Sequence, residues 1–214
     1  MFYRIVRWIV AGGSCAAYRA TITGRERLPL TGGYVLAPSH RSMMDIPLVA
    51  WVTPRRLRYM GKSSLFKIPV LSWFFRVLGG FPVERDGTDR KALRESIQML
   101  QDGDILLVYP EGTRQSGPKI QPLQPGAAYL ALRAGVPIVP VGIAGSEEIL
   151  RTRASHIPRF APVVMAIGEP IVTPARGKGV VPREQVDAIT AQLHDTLQEL
   201  LNEAYEIRDG ANGS

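Results

Sequence analysis

Four short apolar runs punctuate the chain: Tyr34 to Ala37, Ile105 to Tyr109, Pro137 to Ile143 and Val163 to Ile167, each bounded by glycine, aspartate or proline. Unbroken apolarity over so few residues suits strands whose two faces are both covered. Between and after the runs lie stretches with helical character: Met43 to Val52, Leu65 to Leu78, Thr88 to Gln101 closed by Gly103, Ala127 to Arg133 closed by Gly135, and Pro182 to Ile207. This order predicts an α/β fold, a mostly parallel sheet flanked by helices. A length of 214 residues supplies one such domain. The expected organisation is an N-terminal amphipathic helix over 1–24, the α/β domain over 25–207 and a disordered tail over 208–214.

The N-terminal stretch is apolar, yet only Trp8 to Tyr18 is free of charge. That is well short of the ~20 apolar residues needed to span a bilayer. Phe2, Ile5, Trp8 and Ile9, with Arg4 and Arg7 beside them, suit a helix lying in the membrane interface. Two other readings stand beside it. One is a terminal helix packed on its own domain; the other is a secretory signal, for which the apolar core is short and is broken by Gly12-Gly13.

Charge is unevenly spread. Residues 1–100 hold sixteen Lys/Arg against six Asp/Glu, and residues 101–214 hold ten against thirteen. The basic half calls for an anionic partner, whether nucleic acid, an anionic membrane or a phosphorylated substrate. No helix-turn-helix, zinc-finger or RNA-binding signature is visible, so nucleic acid is not expected. Cys15 is the only cysteine, which excludes an internal disulfide and a multi-cysteine metal site; no metal is expected, and the default compartment is the cytoplasm.

Four constellations could carry chemistry. In Ser39-His40-Arg41-Ser42-Met43-Met44-Asp45, the histidine and aspartate are five positions apart and would diverge by about 140° on one regular helix. They can meet if His40 lies in the turn and Asp45 in the first turn of the helix, a placement favoured by Pro47. A histidine so held by a carboxylate can deprotonate a hydroxyl. The alternative is a capping box in which Asp45 only caps the helix. Tyr109-Pro110-Glu111-Gly112-Thr113-Arg114 comes directly after the strongest strand, where α/β sheets bind ligands. Gly112 permits close approach, Arg114 suits a phosphate, and Glu111 could orient that arginine; the alternative is a surface turn. Gly79 to Arg85 and Gly61-Lys62-Ser63-Ser64 could each deliver a cation, Arg85 and Lys62, to the same anion. The latter lacks the upstream glycine of a nucleotide-binding P-loop.

Together these residues resemble the glycerolipid acyltransferase family, which includes 1-acylglycerol-3-phosphate and glycerol-3-phosphate O-acyltransferases. His40 to Asp45 resembles its H-x4-D box, Gly79 to Arg85 its second block, Tyr109 to Arg114 its F-P-E-G-T-R block and Val136 to Val141 its V-P-I-V-P block, in the family's order. Two departures are Tyr109 in place of phenylalanine and the less apolar Pro82-Val83-Glu84 before Arg85. The resemblance implies transfer of an acyl group from acyl-CoA or acyl carrier protein, used as co-substrate without a further cofactor, to lysophosphatidate, glycerol 3-phosphate or another lysolipid. It implies His40 as base, Asp45 as its orienting partner, and Arg114, Arg85 and Lys62 on the acceptor phosphate. Glu111, Gly112 and Thr113 would shape that pocket, and Pro137 and Pro140 would mark an acyl-pocket wall or a structural strand. An acceptor that lives in a bilayer implies a peripheral enzyme on the cytoplasmic face of an anionic membrane, with Phe66, Trp73, Phe74 and Phe75 as further contacts or as core. A lipid-binding protein with an idle His-Asp pair is the non-catalytic alternative.

Overall fold

In a computed structural model, which describes residues 2–77, 79–83, 90–150, 158–174 and 180–212, the chain forms a seven-stranded sheet. The strands are β1 Thr21–Thr23, β2 Tyr34–Pro38, β3 Leu57–Lys62, β4 Gly80–Val83, β5 Ile105–Leu107, β6 Ile138–Ala144 and β7 Val164–Ile167. Their order is β1-β7-β6-β2-β5-β3-β4, parallel throughout except for the β6–β7 pair. The α/β fold with a mostly parallel sheet is thus observed. Every residue of β2 and β6 is buried, which is why these strands read as continuous apolar runs.

Alternation along β2 divides the core. Tyr34 and Leu36 face a cluster with Leu48, Val49, Val52, Cys15 and Tyr18, while Val35 and Ala37 face Leu130, Ala131, Leu193, Leu197 and Leu201 on the opposite side. Helices α1 Phe2–Arg7, α2 Gly13–Ala17 and α3 Asp45–Val49 come before β3; α4 Pro69–Val77, α5 Arg90–Gln101, α6 Gly126–Ala134, α7 Ser146–Ile149 and α8 Arg183–Asn212 come after it. Burying each large aliphatic side chain of these clusters contributes roughly 1.5–3 kcal/mol. Helix α8 lies so close over β6 that a Cβ on Gly142 would come within 2.3 Å of the Leu200 backbone. Only glycine permits that approach.

Several expected boundaries move. The helix predicted from Met43 is confined to Asp45–Val49, because the Asp45 side chain takes the Arg41 and Ser42 amides and draws the preceding residues into a turn. The helix predicted over Leu65 to Leu78 begins as a 3-10 turn, Ser63–Lys67, and restarts at Pro69, which has no amide to continue the ladder. The tail expected from residue 208 does not fray at Ile207. Helix α8 continues to Asn212, with Arg208 bonded to Glu148 at 3.1 Å and near Glu147.

The N-terminal segment runs through a π-helical turn, Trp8–Gly12, between α1 and α2. One side packs on the domain: Ala11, Cys15 and Tyr18 are buried, and Arg7 donates to the carbonyls of Ala50 and Thr53 at 2.9 and 2.6 Å. The other side leaves Ile5, Trp8 and Ile9 exposed. Packing on the domain and an exposed apolar face are therefore features of one segment. Helix α2 ends with the Ala20 amide on the Cys15 carbonyl and with Arg19 at φ 45°, where glycine is the usual residue. An arginine in that backbone conformation costs roughly 1–2 kcal/mol.

Candidate active site

Because β6, β2, β5, β3 and β4 are adjacent and parallel, their carboxyl ends lie along one edge of the sheet. The segment after β2 carries His40, the one after β5 carries Tyr109 to Arg114, and β3 ends at Lys62 beside Val83 of β4. With strands about 4.8 Å apart, the β2 and β3 ends are roughly 10 Å from each other. Three of the four motif segments are brought to one edge within reach of a single small substrate. Arg85, the cation expected after β4, lies outside the described residues, as does the side chain of Lys62.

His40 lies in the turn and Asp45 opens α3, with His40 Nδ1 2.9 Å from Asp45 Oδ2. Oδ2 also accepts the Arg41 and Ser42 amides at 2.7 and 2.8 Å, and Oδ1 accepts the Ser146 hydroxyl at 2.5 Å. Asp45 is fully buried. With two amides and a hydroxyl already donating to this carboxylate, the imidazole joins the set as a further donor, through Nδ1–H. That leaves Nε2, which has no hydrogen bond among the described residues, as the acceptor. The capping alternative is partly realised too. Ser42 Oγ accepts the Met44 amide at 3.3 Å while Asp45 takes the Ser42 amide, so the same carboxylate shapes the turn and orients the imidazole.

Glu111 does not orient Arg114. Its side chain is buried, with Oε1 accepting the His40 amide at 2.9 Å and Oε2 accepting Arg41 Nη1 and the Gln121 amide, each at 3.2 Å. The buried guanidinium of Arg41 reaches on to the Lys119 carbonyl at 3.3 Å. The His40 carbonyl accepts the Gln115 amide at 2.9 Å, closing a frame between the two turns. Burying this ion pair is tolerable because its hydrogen bonds are nearly all met. Gly112, at φ 72°, turns the chain outward, so Gly112, Thr113 and Arg114 are exposed beside the frame. The Val136 to Val141 block leads into β6 and forms its buried first residues from Ile138 on, and its contribution to the site is to deliver Gly145 and then Ser146 at the far end of that strand.

Three features had no sequence signal. Ser146 reaches Asp45 from 101 positions away, Arg41 rather than Arg114 is the partner of Glu111, and the Tyr109 ring stacks on His40 at 3.9 Å between centroids. The Tyr109 hydroxyl is buried with no partner among the described residues. Burial, and secondarily the Asp45 charge, push its pKa well above 10. Its ionisation then occurs only in the unfolded chain, so stability present below pH 10 is lost as the pH rises further. Tyr109→Phe is expected to stabilise the protein by about 1 kcal/mol at neutral pH, with a gain that grows above pH 10, as urea unfolding will read. A less stable Phe variant would mean that the hydroxyl is bonded.

Among the described residues, no three His, Cys, Asp or Glu side chains are grouped to hold a metal ion. The arrangement is that of a base held against a buried carboxylate, next to an exposed arginine. Such a site can take a proton from a hydroxyl on a molecule whose anionic group lies on the arginine.

A family model described as acyltransferase matches residues 19–144. The chain is 28% identical over 187 residues to the 1-acyl-sn-glycerol-3-phosphate acyltransferase of Bacillus subtilis, an alignment covering 87% of this chain and 90% of that protein. It is 32% identical over 155 residues to the protein of that name from Streptococcus pneumoniae, covering 68% of this chain and 55% of the relative. The crystal structure of the 1-acyl-sn-glycerophosphate acyltransferase from Thermotoga maritima superimposes with a TM-score of 0.75 at 25% identity, over 94% of this chain and 80% of that one.

Proposed function

Since the chain belongs to the glycerolipid acyltransferase family and is an O-acyltransferase, we propose that it moves a fatty acyl group from acyl-CoA or acyl carrier protein to the free hydroxyl of lysophosphatidate. The observation that carries the reading is the pairing of His40 with a buried, four-donor Asp45 beside the exposed Arg114. His40 Nε2 takes the acceptor proton as its oxygen attacks the thioester carbonyl, and Asp45 stabilises the imidazolium that results. When the tetrahedral intermediate collapses, the carbon–sulfur bond breaks and the proton passes from His40 to the departing thiolate. No acyl-enzyme forms. Burial pushes the Cys15 thiol up to about 11, which leaves it neutral and a poor nucleophile at pH 7. Arg114 holds the acceptor phosphate, with Thr113 and the Gly112 backbone beside it and with Lys62 and Arg85 as further cations; Glu111 supports the pocket from behind.

The enzyme works on the cytoplasmic face of a membrane. Ile5, Trp8 and Ile9 are exposed on one segment and Trp73 on another, while no described helix is long and apolar enough to cross a bilayer. The basic first hundred residues add an attraction of ~1 kcal/mol for each well-placed cation on anionic lipid.

Thiol release from palmitoyl-CoA, with detergent-dispersed lysophosphatidate or glycerol 3-phosphate as acceptor, tests the reaction. Release is expected with lysophosphatidate and is expected to fall by about 10²–10⁴-fold in His40→Ala. Faster release with glycerol 3-phosphate would reassign the acceptor. Silence with both CoA and carrier-protein donors would reject the assignment of His40.

A further inference from the structure

A groove of about 690 Å3 lies past the far end of α3 from Asp45, lined by Trp8, Trp51 and the small residues Gly13 and Ala16. The two indole rings meet edge to face, 6.2 Å apart. Arg19 and Arg25 line the same groove, and no described carboxylate does. Arg25 spends one nitrogen on the Trp51 carbonyl at 2.9 Å. Arg19 has no side-chain partner among the described residues and stands in a left-handed backbone position that favours glycine. The chain thus keeps an arginine where it strains the fold and bonds nothing within it, and strain of this kind is retained where a ligand uses it.

Two guanidinium groups at an apolar groove lined by indoles fit a molecule with an anionic phosphate at one end and hydrocarbon at the other. Trp8 belongs to both the groove and the exposed Ile5-Trp8-Ile9 face, so the groove opens where that face meets a bilayer. The π-helical turn, an element common at functional sites, covers Trp8 to Gly12. We propose that this groove holds one anionic phospholipid, its phosphate on Arg19 and Arg25 and an acyl chain along Gly13 and Ala16 beside the paired indoles. The site uses the membrane-surface reading above but none of the transfer chemistry, which takes place beyond the opposite end of α3.

The test is a tryptophan-fluorescence titration of the full chain with dihexanoyl phosphatidylglycerol below its micellar concentration, with dihexanoyl phosphatidylcholine and inorganic phosphate in parallel. Saturable binding of the anionic lipid, at least tenfold tighter than that of the zwitterionic lipid, is expected, with no response to phosphate. Arg19→Gly is expected to raise Tm by about 2–4 °C through relief of the backbone and to weaken anionic-lipid binding about tenfold, whereas Arg19→Lys keeps most of it. Undiminished binding in Arg19→Gly overturns the proposal, as do equal affinities for the two lipids or an equal response to phosphate. Intact acyl transfer in a protein that ignores phosphatidylglycerol would overturn this site and leave the reaction standing.

Discussion

Asp45→Asn is expected to slow acyl transfer about a thousandfold while the protein melts within a few degrees of the wild type. The contrast comes from what the carboxylate does. The amide oxygen of asparagine, placed where Oδ2 lies, can still accept the Arg41 and Ser42 amides and His40 Nδ1–H, and its NH2 can donate to Ser146 once that hydroxyl rotates. The turn survives, but the negative charge that stabilises imidazolium in the transition state is gone, a loss of the size seen when a histidine–aspartate pair is neutralised. Asp45→Ala would behave differently. It strands two amides and a hydroxyl in a fully buried place, at about 1–3 kcal/mol for each donor left unpaired. Thiol-release kinetics and a thermal melt on both variants separate the two roles. If the asparagine variant keeps more than a tenth of wild-type activity, Asp45 serves the turn and not the base.

How much of the molecule is legible in its sequence depends on range. The strands β2, β5, β6 and β7 are readable because burial on both faces writes an unbroken apolar run. β1 and β3 are not readable as strands. β1 is a three-residue edge strand, and β3 carries Arg58, Gly61 and Lys62 among its six residues, so neither shows a clean period. The His40–Asp45 pair is legible from a spacing of five with a proline behind it, since local backbone geometry limits how such residues can meet. Ser146 and the Arg41–Glu111 pair are not, because they join segments 101 and 70 positions apart that only the strand order β6-β2-β5 makes neighbours. The same order explains why Glu111, in the sequence, looks free to serve Arg114. Within its own hexapeptide Arg114 is the only cation, and the competing guanidinium comes from the adjacent strand's loop.

That reassignment separates two residues of one hexapeptide by their kinetics. In Glu111→Gln, Arg41 keeps a buried positive charge whose Nε already lacks a partner among the described residues, so the variant should lose about 3–5 kcal/mol of stability, roughly 10 °C in Tm. Most domains of this size survive such a loss. The one acceptor oxygen that remains serves the Arg41 and Gln121 donors, which turns the new NH2 toward the His40 amide, so the imidazole is held less firmly; kcat should fall by about tenfold or more with little change in the acceptor KM. Arg114→Ala should do the reverse. Its side chain is exposed and bonds no side chain among the described residues, so stability should hold, while loss of a charge-assisted contact of about 1.5–3 kcal/mol to the acceptor phosphate raises KM about 10–150-fold. Saturation kinetics in acceptor, with melts of each variant, read both. A Glu111→Gln enzyme with wild-type kcat and a raised acceptor KM would return the carboxylate to the substrate pocket; the opposite pattern makes it a strut between two loops, which transmits the position of one parallel strand to the base carried by the next.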